Sequence, residues 1–438
     1  MYSKWWQKNA VYRKLFYENF ISIEKSDYTI YINPLFYVEY DKSADTSKLF
    51  SINTRGLEIK GTVGKKIAFY TAFRENQTFF RPYITQKVNE RLVIPGQGSP
   101  KIFKTTGFDF SSSEAYLSYL PVSWFNIQTG NEKNFVGEGY RSVLLSDNSF
   151  NYPNLKFTTN FGQFKYVSMF AQFEDFEKVY YNRHITKHAE INYFSYSFKN
   201  KFEIGFFEGM IYQTTDTAAY MNKIPTDYFI PLIGFHSLKY GFYSKNNLLI
   251  GLNSKIKVSD QIQLYGQFAV NNPEQSEYAC QAGFKIFDIF SNRIRKQKLY
   301  FQTEFNTASA GCYSDKNKFM TWSDYNQELA NPLGSSFSEI FTEINYRLFK
   351  IDINLKYTQA RTNQNGIPSD IYTADLQAAP TISENTITHK IITLDWIRNP
   401  RTYFVFFGGI DLRTADKKNE KYVFVGFRTQ LSNFYYDF

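Results

Sequence analysis

From residue 28 onward the chain alternates apolar and polar positions over stretches of about ten residues, the period-2 pattern of extended strands with two unlike faces. In 350–360, Ile351, Ile353, Leu355 and Tyr357 alternate with Asp352, Asn354, Lys356 and Thr358. In 337–348, Ile340, Thr342, Ile344, Tyr346 and Leu348 oppose Glu339, Glu343, Asn345 and Arg347. In 261–271, Ile262, Leu264, Phe268 and Val270 oppose Gln261, Gln263, Tyr265 and Gln267. The last stretch, 420–438, sets Val423, Val425, Phe427, Thr429 and Leu431 against Tyr422, Phe424, Gly426, Arg428 and Gln430. Phe434, Tyr436 and Phe438 carry that alternation to the last residue.

The same pattern predicts strands at 28–40, 49–62, 66–74, 114–120, 122–129, 154–161, 164–173, 188–199, 201–213, 246–258, 261–271, 277–288, 297–306, 337–348, 350–360, 386–397 and 401–412. With the closing stretch the count is 18. Long and short connections take turns: VGKK, Pro121, Gly162, Asn200, Asp260 and the pair Asn399–Pro400 make tight links, separated by long polar segments. An even strand count with alternating loop lengths predicts an all-β, transmembrane, antiparallel up-and-down β-barrel with short periplasmic turns and long extracellular loops. Charges are costly towards lipid and not towards a wet lumen, so the charged faces are expected to point inward. The aromatic terminus resembles the C-terminal recognition signal of bacterial outer-membrane proteins, which places Phe438 on the periplasmic side, with the closing strand beside the strand near Tyr28.

Composition sharpens this picture. Tyr at 35 and Phe at 45 dominate the apolar residues while mean hydropathy is −0.42, which suits aromatic girdles better than the aliphatic cores of soluble domains. No run approaches the roughly 18 apolar residues of a spanning helix. The expected division is a lead-in at 1–27 and a barrel at 28–438 with lumen-occluding loops. Trp5, Trp6, Val11, Leu15, Phe16 and Phe20 allow a short amphipathic helix at the periplasmic mouth. No secretory signal opens the chain, so it reads as a mature or trimmed form bound for the bacterial outer membrane. The net charge of +9 is spread along the chain, which fits anionic lipid headgroups, lipopolysaccharide or acidic polysaccharide; no nucleic-acid motif accompanies it. Cys280 and Cys312 could form one disulfide at most.

The segment 134–173 contains GEGYRS, LLSDN and NYP, and resembles the signature region of the capsule-assembly barrels called Wzi-like, especially the Bacteroidetes gliding-motility members called RemB. Residues 246–268 and 28–40 also resemble that family. The resemblance implies an 18-stranded barrel occluded by its loops, exposed at the cell surface, and concerned with surface polysaccharide or gliding motility. Gly137 and Gly139 permit conformations or close approaches closed to other residues. One reading makes Tyr140, Arg141, Asp147, Asn148 and Tyr152 a sugar-contacting surface, with aromatic faces for pyranose rings and Arg for acidic sugars. The other makes 134–153 an inward-folded plug, with Arg141 paired to Asp147 or to a wall carboxylate.

Other chemistry is sparse. His184 and His188 lie four apart in an expected loop without a third ligand, and His236 and His389 have no evident partners. No Ser sits in a G-x-S-x-G elbow. A non-enzymatic barrel without metal or cofactor is expected. Arg293, Arg295, Lys296 and Lys298 crowd a periplasmic turn, where they would meet lipid headgroups or dock a periplasmic motility or secretion protein. The alternatives in function are a channel for small polar solutes and an accessory barrel of a secretion or motility complex.

Overall fold

The computed structural model describes residues 9–176, 184–212, 224–242, 244–289, 297–315, 317–363, 384–399, 401–415, 417–429 and 435–438. Eighteen antiparallel strands close into one barrel. They are β1 Tyr28–Ser43, β2 Leu49–Val63, β3 Ile67–Phe79, β4 Gly107–Val122, β5 Phe125–Glu132, β6 Tyr152–Phe161, β7 Phe164–Phe176, β8 His184–Phe198 and β9 Phe202–Tyr212. Then come β10 Asn247–Lys257, β11 Ile262–Asn272, β12 Glu277–Phe287, β13 Gln297–Ala308, β14 Phe337–Leu348, β15 Ile351–Asn363, β16 Glu384–Asn399, β17 Phe404–Ala415 and β18 Lys418–Arg428.

The alternation works as its polarity demands. Phe73, Phe206, Leu252, Phe268, Ile340 and Val425 are exposed on the outer surface, while Gln263, Gln267, Glu304, Asn306 and Glu339 are buried inside. An outward apolar face can only be solvated by lipid, so the closed wall is that of an outer-membrane barrel. Among the described residues no helix is long and apolar enough to cross a membrane.

Several expected boundaries shift. The fourth strand does not end at Pro121; β4 runs through it and turns at Ser123 and Trp124, with a register irregularity between Tyr119 and Val122. A bulge is where a strand tolerates a residue that donates no ladder hydrogen bond. His184 and His188 lie on β8 rather than in a loop. The disulfide does not form, and both cysteines are free thiols.

The largest correction concerns the terminus. β18 pairs with β1, the strand that begins at Tyr28, as expected, but it ends at Arg428 and the pairing runs only from Tyr37 to Ser43. The lower part of β1, Thr29 to Ile32, pairs instead with Ile21–Glu24. Residues 435–438 turn back into the lumen, where Tyr435, Asp437 and Phe438 are buried. Phe434 and Leu431 lie outside the described residues, as do Arg293, Arg295 and Lys296; Lys298 stands 3.6 Å from Asp288.

Helix α1 (Ala10–Phe16) is capped by Asn9, whose side chain accepts from the backbone of Val11 and Tyr12. It lies at the short-turn end: the Asn399 side chain donates to the backbone of Lys14 and Glu18, and the Arg398 guanidinium stands 5.1 Å over the Phe16 ring.

Candidate functional site

The lumen is filled by three long connections and the tail. The first, 80–106, carries helix α2 (Pro82–Arg91), which has Pro at its first turn and ends on a left-handed Leu92. The second is 133–151, and the third, 309–336, carries a two-residue-per-arm hairpin, Ser323–Asp324 with Gln327–Glu328. Val143, Leu144, Tyr313, Trp322 and Leu329 from these segments join Phe173, Ile191 and Phe207 of the wall in one buried cluster. Trp322 is central: its indole N–H donates to the Leu144 carbonyl at 3.0 Å, and its ring meets Phe173 and Phe207 edge-on.

Segment 133–151 is pinned by the inward polar faces. Glu304 accepts the backbone N–H groups of Tyr140 and Arg141, at 2.8 and 3.3 Å. The Gln281 amide donates to the Arg141 carbonyl at 2.7 Å, and Gln267 binds the Val136 carbonyl and the Val143 N–H. Gly137 has φ of +139°, and a Cβ there would collide with the Gln267 amide, so glycine is required. At Gly139 a Cβ would stand 2.6 Å from the Arg141 carbonyl oxygen and 2.7 Å from Glu304.

Arg141 is the centre of the plug, with 0% of its side chain exposed. Its Nη1 meets Glu339 Oε1 of β14 at 2.7 Å and its Nη2 meets Asp437 Oδ1 of the tail at 2.9 Å. Burial pushes the guanidinium pKa down, and the two carboxylates more than offset this, holding it charged and above its ordinary value. Burial likewise pushes the Asp437 carboxyl up, but Arg141 and Lys356 outweigh it and hold it below the usual carboxylate range. The tail adds further ties. Tyr435 donates to Asp147 at 2.5 Å and to the Tyr140 carbonyl at 3.1 Å, and Phe438 packs between the Tyr83 ring and the Lys87 ammonium.

The five residues singled out in the sequence thus fall in one region, inside the barrel. Tyr140 stacks on Phe341 at 3.9 Å, and its hydroxyl receives a hydrogen bond from Lys356. Asn148 donates to the Glu328 carbonyl, and Tyr152, the first residue of β6, is buried edge-on to Phe173 at 4.9 Å. Asp147 does not pair with Arg141; it binds Tyr435. A sugar could reach Arg141 only after displacement of the plug. Sequence reasoning missed Asp437 and Tyr435 as partners, although a lone acid inside the aromatic run Tyr435–Phe438 is a signal that a cation awaits it. It also missed Lys187, a buried wall lysine that binds Asp175, Ser323 and the Thr321 carbonyl and so holds the third connection.

Among the described residues two cavities stand out by volume. One, of about 250 Å³, follows the closing seam and is lined by Glu39, Arg81, Lys356, Asp395, Arg428 and Tyr436. The other, of about 600 Å³, opens at the long-loop mouth among Phe242, Asn247, Asn271, Asn272, Gln275 and Glu277. Among the described residues no group of three or more His, Cys, Asp or Glu side chains could hold a metal ion. His184 pairs with Glu174, and His188 lies edge-on to Tyr228.

Fold and filled lumen together define the class: an 18-stranded outer-membrane β-barrel closed by its own loops. No protein-family model matches the chain, and no curated protein matches its sequence. Among solved structures it is similar to Wzi of Escherichia coli, an outer-membrane protein involved in group 1 capsule assembly and described as a carbohydrate-binding β-barrel. That similarity has 11% identity and a TM-score of 0.61, over 91% of this chain and 85% of that one. It is also similar to OpdL of Pseudomonas aeruginosa, at 9% identity and a TM-score of 0.46 over 93% and 100% of the two chains. A BenF-like porin of Pseudomonas fluorescens Pf-5 gives 8% and 0.47, over 93% and 99%.

Proposed function

We propose that this chain is a non-enzymatic, non-conducting surface barrel that binds or organises polysaccharide at its extracellular mouth. The observation that carries the reading is the filled lumen: the amides and carboxylates that would line a solute path in a porin are engaged with the backbone of the plug. The mouth cleft supports a sugar ligand. Asn272 and Gln275 offer donors and acceptors suited to vicinal hydroxyls, next to the buried Asn271 whose amide is held by Asn247 and the Leu248 carbonyl, and Phe242 offers an aromatic face. Wzi, described as carbohydrate-binding, shares the fold. Kinship with the RemB members, service in gliding motility and docking to a periplasmic partner are finer parts of the proposal, supported by the resemblance at 134–153. The test combines planar-bilayer conductance with binding of surface polysaccharide extracted from the producing cell. Closed bilayers and binding weakened by a paired Asn272→Ala, Gln275→Ala variant are expected. Open-porin conductance, or no polysaccharide bound, would overturn the reading.

A further inference from the structure

Strands β7 to β10 have a fixed parity. Odd-numbered residues face the lumen, where Ala189, Ile191 and Phe207 join the plug cluster, and even-numbered residues face outward, where Phe206 and Leu252 are paired and exposed. Glu190, Asn192 and Glu208 are therefore directed away from the lumen, yet they are only 1%, 0% and 2% exposed. What covers them is the segment 224–242, which folds down over the outside of the wall and includes helix α3 (Phe235–Tyr240).

Its inner side is polar. Glu208 accepts the N–H groups of Gly234 and Ser237, both at 2.8 Å, and Glu190 meets His236 at 2.5 Å. Tyr212 bonds the other ring nitrogen of His236 at 2.7 Å. Tyr228 packs with Met210, Tyr212 and Leu248 in a hydrophobic cluster separate from the one in the lumen. Depth is set by Tyr166, the third residue of β7 counted from the short turn at Gly162: its hydroxyl donates to the Pro231 carbonyl at 2.9 Å and accepts the Ile233 N–H at 3.0 Å. A strand needs about 9–11 residues to cross the bilayer, so a strap that descends from the long-loop end to the third of the 13 residues of β7 runs alongside most of the spanning length. The side turned away from the wall is mainly apolar: Phe229 is 62%, Leu232 57% and Leu238 90% exposed, and the exposed Lys239 beside them is paired with Asp227.

We propose that segment 224–242 is a strap immersed in the bilayer, with Phe229, Leu232 and Leu238 in contact with lipid acyl chains and its polar side shielding Glu190 and Glu208 from them. Acyl chains are the occupant because this surface continues the apolar belt of Phe206 and Leu252 on the strands beneath it. Two outward carboxylates facing lipid directly would be costly, and the strap removes that cost.

The test places a nitroxide at L232C or L238C in proteoliposomes, in a C280A background with Cys312 left buried. Accessibility is read with oxygen, which partitions into lipid, and with a water-soluble nickel chelate. L252C serves as the reference for the lipid belt, and Q275C for water. The expected result is a loss of nickel accessibility equal to that of L252C, with oxygen accessibility retained. Nickel accessibility at the level of Q275C would overturn the proposal, and so would protection from both reagents, which would mean a protein partner or second copy on this face.

Discussion

Arg141→Ala tests the plug at its centre. The substitution leaves Glu339 and Asp437, with 0% and 3% of their side chains exposed, without their cation. Removing one partner of a buried ion pair costs about 3–5 kcal/mol, because the abandoned charge stays out of water. Two carboxylates are abandoned here, but they are close together and one takes up a proton, so the cost does not double. At 1.4 kcal/mol per decade, the displaced plug should become about 100- to 4,000-fold more populated. The wall has its own hydrogen-bond ladder and persists. Hydrogen exchange should therefore accelerate in 134–151 and 435–438 by that factor while β14 keeps its protection, and bilayers should show brief openings absent from wild type. The neutral triple variant Arg141→Met, Glu339→Gln, Asp437→Asn should recover most of the protection, since no member of the triad is left buried with an unpaired charge. If Arg141→Ala leaves exchange in 134–151 unchanged in a folded, heat-modifiable barrel, the plug is not held by this ion triad.

Three further outcomes follow from the same contacts. Lys187→Ala, which strands buried Asp175, should loosen 309–336 by about 3–5 kcal/mol, read as faster exchange confined to that segment. Trp322→Ala, which opens a cavity between Phe173 and Phe207 and loses the bond to Leu144, should cost about 3–5 kcal/mol in plug stability by the same measurement. The folded pKa of Asp437 is depressed, so its contribution is complete above the ordinary carboxylate pKa and declines as pH falls below it. The protection of 435–438, taken relative to the intrinsic exchange rate at each pH, should fall on acidification below about pH 4, and Asp437→Asn should abolish that fall.

The wall was legible from the chain because period-2 alternation and loop lengths are local properties. Val423 and Val425 against Tyr422 and Phe424 told one face from the other, and the structure exposes the first pair and buries the second. Alternation says nothing about what covers a face, however. The tail from Tyr435 to Phe438 reads equally well as a lipid girdle or as a lumen filling, since aromatic rings serve both. Likewise, the rule that charged faces point inward fails at Glu190 and Glu208, whose cover comes from a connection distant in sequence. Within 134–153 the glycines, Arg141 and the polar groups stood out, but their partners Glu304, Glu339 and Asp437 are far along the chain and no spacing announces them.

The inward turn of the tail also has a bearing on assembly. Tyr435, Asp437 and Phe438 touch Tyr83, Lys87, Tyr140, Arg141 and Asp147 together, so the full set of tail contacts exists only with both of those connections seated. A stretch that follows the closing strand in sequence is thus among the innermost, and the contacts that seal the wall are distinct from those that set the latch.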